Sequence, residues 1–210
     1  MDTSAALPLT REHLDWPFFD KAHADWAAKL DAFAQSPALA DVDYSDTDNA
    51  CRALVKALGK AGLLEAAVSL TGGEGIDSRK LCIARETLAY HDGLADFAFA
   101  MQGLGTGAIS LTASDGLKQA VLPKVASGEW ISAFALSEKL AGSDVAAMSC
   151  AAKADGDHYV LDGEKTWISN GGIADVYTVF ARTGEAPGTR GISAFVVFAT
   201  DPGFSIAERI

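Results

Sequence analysis

Apolar residues along the first 130 positions recur at three- and four-residue spacings, and beyond them the spacing shortens toward two. Phe18, Phe19, Ala22, Trp26, Leu30 and Phe33 form one stripe, with Pro17 near its start, and predict an amphipathic helix. Ala53, Leu54, Ala57 and Leu58 mark a second helix over about 46–61, with Gly62 placed to end it. Thr71 to Asp77 reads as a Gly-rich loop. Asp77 or Ser78 then caps a third helix carrying Leu81, Ile83, Ala84, Leu88 and Ala89 toward a core. A fourth, rich in Ala and Gly, covers roughly 94–112; its small residues admit a close backbone neighbour or a ligand. Ser114 opens a shorter helix with Leu117, Val121 and Leu122 inward, which Pro123 kinks or ends.

After Gly128 the segments 130–136, 149–153, 157–161, 165–169, 176–182 and 192–199 read as short strands. Asp155-Gly156 and Asp162-Gly163 are expected as hairpin turns, 183–190 as a polar loop, and Asp201 as the start of another strand. Helices first and strands afterwards is the order of an α+β architecture, not of alternating βαβ units. The expected fold is an N-terminal all-helical domain over 1–130, then an antiparallel, β-barrel-like domain over 131–210.

Composition narrows the chemistry. Of the 210 residues, 49% are hydrophobic, enough for a substantial core. A net charge of −11 argues against non-specific nucleic-acid binding, though a local site can still take an anion. Cys51, Cys82 and Cys150 are odd in number and form no CxxC, which speaks against a disulfide framework or a zinc knuckle and for a reducing compartment. The scattered histidines make no metal motif, and no metal site is expected. The N-terminus lacks the basic region of a signal or transit peptide, and no apolar run is long enough for a membrane span. Gly103-Leu-Gly105-Thr-Gly107 has GxGxG spacing with no strand before it, so it reads as close helix packing rather than a dinucleotide turn. Gly72, Gly73 and Gly75 lack the Lys-Ser/Thr of a P-loop, and GxSxG is absent.

Two segments carry candidate chemistry. In Ala135 to Ala147, Ser137 ends a predicted strand, and Ser143-Asp144 follow in a turn that can offer hydroxyls and backbone N–H groups to a polar ligand. A plain turn cap accounts for the same residues. In Lys165-Thr-Trp-Ile-Ser-Asn-Gly-Gly172, a strand would put Trp167 and Ser169 on one face, an indole and a hydroxyl suited to a planar heterocycle and its polar edge. A core Trp under a hairpin is the competing reading.

Taken together these segments resemble the acyl-CoA dehydrogenase family. Ala135 to Ala147 matches its signature at each constrained position, and Trp167-Ile-Ser-Asn-Gly-Gly172 follows at the right spacing, with Asp162-Gly-Glu-Lys-Thr-Trp167 and Pro202-Gly-Phe-Ser205 in agreement. Lys139-Leu140 stands where many relatives have a Pro-Gly turn, and the loop near Gly72 lacks the usual Pro-Glu-x-x-Gly-Gly. The resemblance implies FAD as cofactor and α,β-desaturation of an acyl-CoA, with hydride passing to the flavin N5. By position it places Phe134, Leu136, Ser137, Trp167, Ile168 and Ser169 against the flavin, and Ser143 on the acyl-CoA side. Gln102 to Thr106 would border the acyl channel. It also implies a C-terminal helical domain that carries the catalytic base and is missing from these residues, so that Glu138 is not that base and this piece alone is inactive. An electron-transfer flavoprotein or similar acceptor, a dimeric or tetrameric assembly, and a cytoplasmic or mitochondrial-matrix location in fatty acid metabolism complete the expectation. An acyl-CoA oxidase or flavin monooxygenase of similar architecture, or a non-catalytic subunit, stands as the alternative.

Overall fold

The computed structural model describes residues 9–70 and 76–208. Most of the expected Gly-rich loop, residues 71–75, and the N-terminal segment 1–8 lie outside the described residues.

Each long helix starts at a side chain that satisfies the free N–H groups of the first turn. Asp20 accepts from the Ala22 and His23 amides at 2.9 and 3.4 Å and opens α1, Lys21–Ala34. The Asp20 amide in turn donates to His23 Nδ1 at 3.1 Å, which closes a capping box. The helix thus begins after Phe18 rather than at it, and Phe18 stays exposed. A single turn, α2 (Pro37–Ala40), precedes α3 (Thr47–Lys60), which Asp46 caps. At its other end Gly62 has φ +65°, Gly62 N–H meets Gly59 O at 2.8 Å, and Leu63 N–H meets Leu58 O at 3.0 Å. That pair of bonds is a Schellman ending, and the positive φ explains a glycine there. Asp77 caps α4 (Ser78–His91), Asp92 caps α5 (Gly93–Thr112), and Ser114 caps α6 (Asp115–Ala126). Pro123 does not end α6: the last turn buries Val125 and Ala126, and that packing carries the helix past the missing N–H.

The strands are β1 (Ser132–Ala135), β2 (Ala151–Asp155), β3 (His158–Asp162), β4 (Val176–Arg182) and β5 (Ile192–Phe198). β4 is the centre. β5 runs antiparallel along its whole length, from Val176↔Phe198 to Arg182↔Ile192. On the other edge β1 pairs parallel, Ser132↔Val176 to Ala135↔Val179, and β2 follows at Ala151↔Arg182, with β3 antiparallel to β2 outside it. The order of helices before strands is as expected, but the sheet is mixed rather than wholly antiparallel. The forty residues between β1 and β4 form a connection long enough to bring a strand back in parallel, which a hairpin cannot do.

Three local expectations fail. Residues 165–169 form no strand, because Trp167 and Asn170 take φ values of 60° and 63°, which break an extended run. Asp162-Gly163 makes no hairpin for the same reason, since no strand follows it, whereas Asp155-Gly156 does turn β2 into β3. Among the described residues after Asp201 there is no strand.

One apolar cluster joins helices to sheet, with Leu54, Leu58, Leu88 and Phe99 on one side and Ala133, Ala135, Tyr177 and Val179 on the other. α5 lies directly on β1. A Cβ at Gly105 would fall 2.4 Å from Ser132 Oγ, so only glycine lets the two backbones approach this closely. The buried Gln102 accepts from the Ser132 amide at 2.9 Å, and Thr178 Oγ1 donates to Gly105 O at 2.6 Å. The GxGxG spacing therefore serves helix–sheet contact at Gly105, with Gly103 against Ala67.

Candidate functional site

β1 ends at Ala135 and delivers a tight turn, in which the Glu138 and Ala141 backbones exchange hydrogen bonds of 3.0 and 3.1 Å. The Glu138 side chain points back under this turn and is buried. Its carboxylate accepts from the Ser149 amide (2.6 Å), the Ser149 hydroxyl (2.8 Å), the Cys150 amide (2.9 Å) and Lys165 Nζ (2.8 Å). Burial alone would raise the Glu138 pKa, but the Lys165 ammonium, the two amides and the Ser149 hydroxyl outweigh it and hold the group at about 2. Lys165 is equally enclosed: the side chains are 9% exposed for Lys165 and 6% for Glu138. Its ammonium also donates to Leu136 O at 3.1 Å.

This ion pair brings together the two segments singled out from the sequence, which lie about thirty residues apart. Beside it the Thr166 amide donates to Ser137 O at 2.9 Å. Further on, Asn170 Nδ2 donates to Ser132 O at 2.9 Å, and Cys51 Sγ reaches Asn170 Oδ1 at 3.7 Å. Asn170 tolerates its left-handed backbone better than most residues do, and its carbonyl accepts from the Ile173 and Ala174 amides, both at 3.0 Å. Gly163 makes the entry to the segment possible, because a Cβ there would stand 2.6 Å from the Cys150 Cα.

The loop so anchored holds Trp167 outward. The residue is 73% exposed, and a bulky residue at φ 60° is a backbone outlier. Ser169 is exposed, and Ile168 between them packs against the main core. Ser137 and Leu136 are half-buried at the end of β1, and Phe134 meets Phe180 edge to face at 5.1 Å. Ser143 lies exposed beyond the turn. Asp144, offered as a mere cap, makes no side-chain cap bond to the short helix Val145–Ala147. That helix is instead fastened by Arg182, which donates to Ala146 O and Met148 O. Trp167 and Ser169 do not share the face of a strand; they flank an inward Ile168 on a turn.

Sequence reasoning passed over Glu138 as a structural carboxylate and Lys165 as its partner; Gln102, expected to border the acyl channel, is buried with its side-chain carbonyl on the Ser132 amide. Asn before Gly-Gly is a local signal for a left-handed turn. An ion pair formed across about thirty residues leaves no such signal.

The family model for the acyl-CoA dehydrogenase N-terminal domain matches residues 20–129, and that for the middle domain matches residues 133–210. The chain belongs to the acyl-CoA dehydrogenase family. A probable acyl-CoA dehydrogenase of Mycobacterium tuberculosis is 46% identical over 138 residues, 66% of this chain and 36% of the relative. A glutaryl-CoA dehydrogenase from Mycobacterium smegmatis superposes with a TM-score of 0.75 at 33% identity, over 89% of this chain and 48% of that one. An acyl-CoA dehydrogenase complexed with FAD from Bacillus anthracis gives 0.75 at 32% identity, over 95% and 35%. The chain thus spans about half the length of these acyl-CoA dehydrogenases or less.

Proposed function

We propose that this chain forms the flavin-facing wall, and part of the acyl-facing wall, of an FAD-dependent acyl-CoA dehydrogenase. The observation that carries the reading is the outward indole of Trp167, in a strained backbone next to residues bonded to the turn that follows β1. An exposed Trp on the same loop as an exposed serine, Ser169, suits a planar ring whose faces are apolar and whose edge is polar, so the residues present fit the cofactor. Trp167 packs on the ring, Ser137 and Ser169 bond its edge, and Phe134, Leu136 and Ile168 back the wall. Ser143 serves the acyl-CoA side. The likeness to a relative complexed with FAD supports this reading.

FAD, when bound, supplies the acceptor for the hydride that leaves the acyl β carbon. The residues of this chain orient the ring and exclude water from one of its faces. Proton removal from the α carbon is not assigned to Glu138. A carboxylate held at about 2 and saturated by four donors is too weak a base and has no free lone pair turned outward. The electron acceptor is an electron-transfer flavoprotein or a protein of that kind, the assembly a homodimer or homotetramer, and the compartment cytoplasmic or matrix-like.

The test is FAD retention by the full-length protein. Trp167→Ala with Ser169→Ala weakens it roughly tenfold or more. Unchanged flavin occupancy after gel filtration overturns the placement.

A further inference from the structure

The Glu138–Lys165 pair is placed to do more than hold the fold. Lys165 Nζ reaches three different parts of the turn region: the Glu138 carboxylate at 2.8 Å, Leu136 O at 3.1 Å and Met148 Sδ at 3.9 Å. The next residue, Thr166, bonds Ser137 O through its amide at 2.9 Å. Two successive peptides of the β1 end are therefore gripped by two successive residues of the indole loop. Peptides are planar and trans, so fixing Leu136 O fixes the Ser137 N–H in the opposite direction, turned away from the buried pair. An apolar pair of similar volume would stabilise the fold as well or better. What it lacks is directional contact with these carbonyls.

We propose that Lys165 and Glu138 are positioning residues for the flavin wall, setting the orientation of the Leu136–Ser137 peptides and the register of the Trp167–Ser169 turn against them. Neither touches the ring; they act through the backbone groups and the indole that do. This rests on the FAD reading given above. A wall displaced by a fraction of an ångström still folds, but it meets the ring edge with misaligned donors.

The experiment compares the full-length protein with the double variant Glu138→Gln/Lys165→Met, which removes both buried charges and so leaves no unpaired ion. The measurements are the melting temperature, hydrogen exchange at the Thr166 amide in the apoprotein, FAD affinity by flavin fluorescence, and the band shape of bound flavin. The expected result is a melting temperature close to the parent's, loss of protection at Thr166, a roughly tenfold rise in the FAD dissociation constant and an altered flavin band. A double variant that keeps parental Thr166 protection, FAD affinity and band shape overturns the proposal. Should the double variant prove too unstable to purify, Lys165→Arg, which keeps the charge but not the compact head, serves the same measurements, with the same outcomes on either side. A parent protein that takes up no FAD sinks the functional reading instead. In that event Thr166 protection alone decides the positioning role, loss supporting it and retention overturning it.

Discussion

The helical layer and the loop from Gly163 to Asp175 are built by opposite means. Asp20, Asp46, Asp77 and Ser114 each cap a helix by bonding amides two or three residues ahead, and Gly62 closes α3 within its own turn. Every cause sits beside its effect in the chain. The loop has a local turn at Asn170, but its first half is held from far along the chain. Lys165 is held by Glu138, Thr166 by Ser137 and Asn170 by Ser132, partners 27 to 38 positions away. Each region should therefore fail differently when a residue is changed.

The largest effect should come from breaking the pair on one side only. Lys165→Met leaves the Glu138 carboxylate buried against two amides and a hydroxyl without its ammonium, at a cost of about 3–5 kcal/mol. Chemical denaturation of the single variant beside Glu138→Gln/Lys165→Met measures it. The double variant should recover most of the loss, since it strands no charge. A single variant as stable as the parent would mean that the loop stands without its distant partner.

That contrast also decides what could be read before any coordinates. Most helix positions, the caps at Asp77 and Ser114, the ending at Gly62 and the break to strands near residue 130 were legible, because stripe and cap residues are local signals; the caps at Asp20, Asp46 and Asp92 were not read. The strands at 176–182 and 192–199 were legible as well, being runs of β-branched and aromatic residues. The parallel pairing of β1 with β4 was not, because strand direction depends on the path of the whole connection. Nor was the loop, where Lys165, Trp167 and Ser169 alternate with apolar Ile168 and so imitate a strand. The left-handed turn at Asn170 has a local signal, but the grip on Lys165 and Thr166 before Trp167 comes from residues 136–138, which no window of ten positions contains. The signature segments announced a site; the ion pair underneath that shapes it did not announce itself.

Acid should weaken the same link. The Glu138 carboxyl lies at about 2 in the fold, against an ordinary value of 4.5. A lowered folded-state value means the stabilisation is fully present above 4.5 and is lost as pH falls toward 2. The difference corresponds to about 3 kcal/mol. Asp77, also held at about 2 against burial, by Arg79 and His23, contributes acid sensitivity of its own to the helical layer. The informative quantity is therefore the difference in urea midpoints between parent and Glu138→Gln across that window. Parallel curves would show that Glu138 does not titrate with the fold.

A smaller, strictly local loss tests the other half of the comparison. Asp46→Ala removes the acceptor for the Asp48 and Asn49 amides at 2.9 and 3.1 Å and should cost about 1 kcal/mol. Hydrogen exchange should quicken in the first turn of α3 and stay parental at Thr166. Spread of the effect into the indole loop would dissolve the distinction between the two regions.

The smallest change in stability should come from the most conspicuous residue. Trp167 is 73% exposed and sits at φ 60°, so it buries little and its backbone is strained. Trp167→Asn removes the indole while supplying a residue at ease in that backbone region, and the fold should shift by no more than about 0.5 kcal/mol in either direction. FAD retention should fall all the same. A residue that contributes so little to folding, in a conformation that local preference disfavours, is where sequence and stability part company, as at sites kept for binding. A large loss of stability in Trp167→Asn would show that the indole supports the fold, and a parental grip on FAD would show that it faces something else.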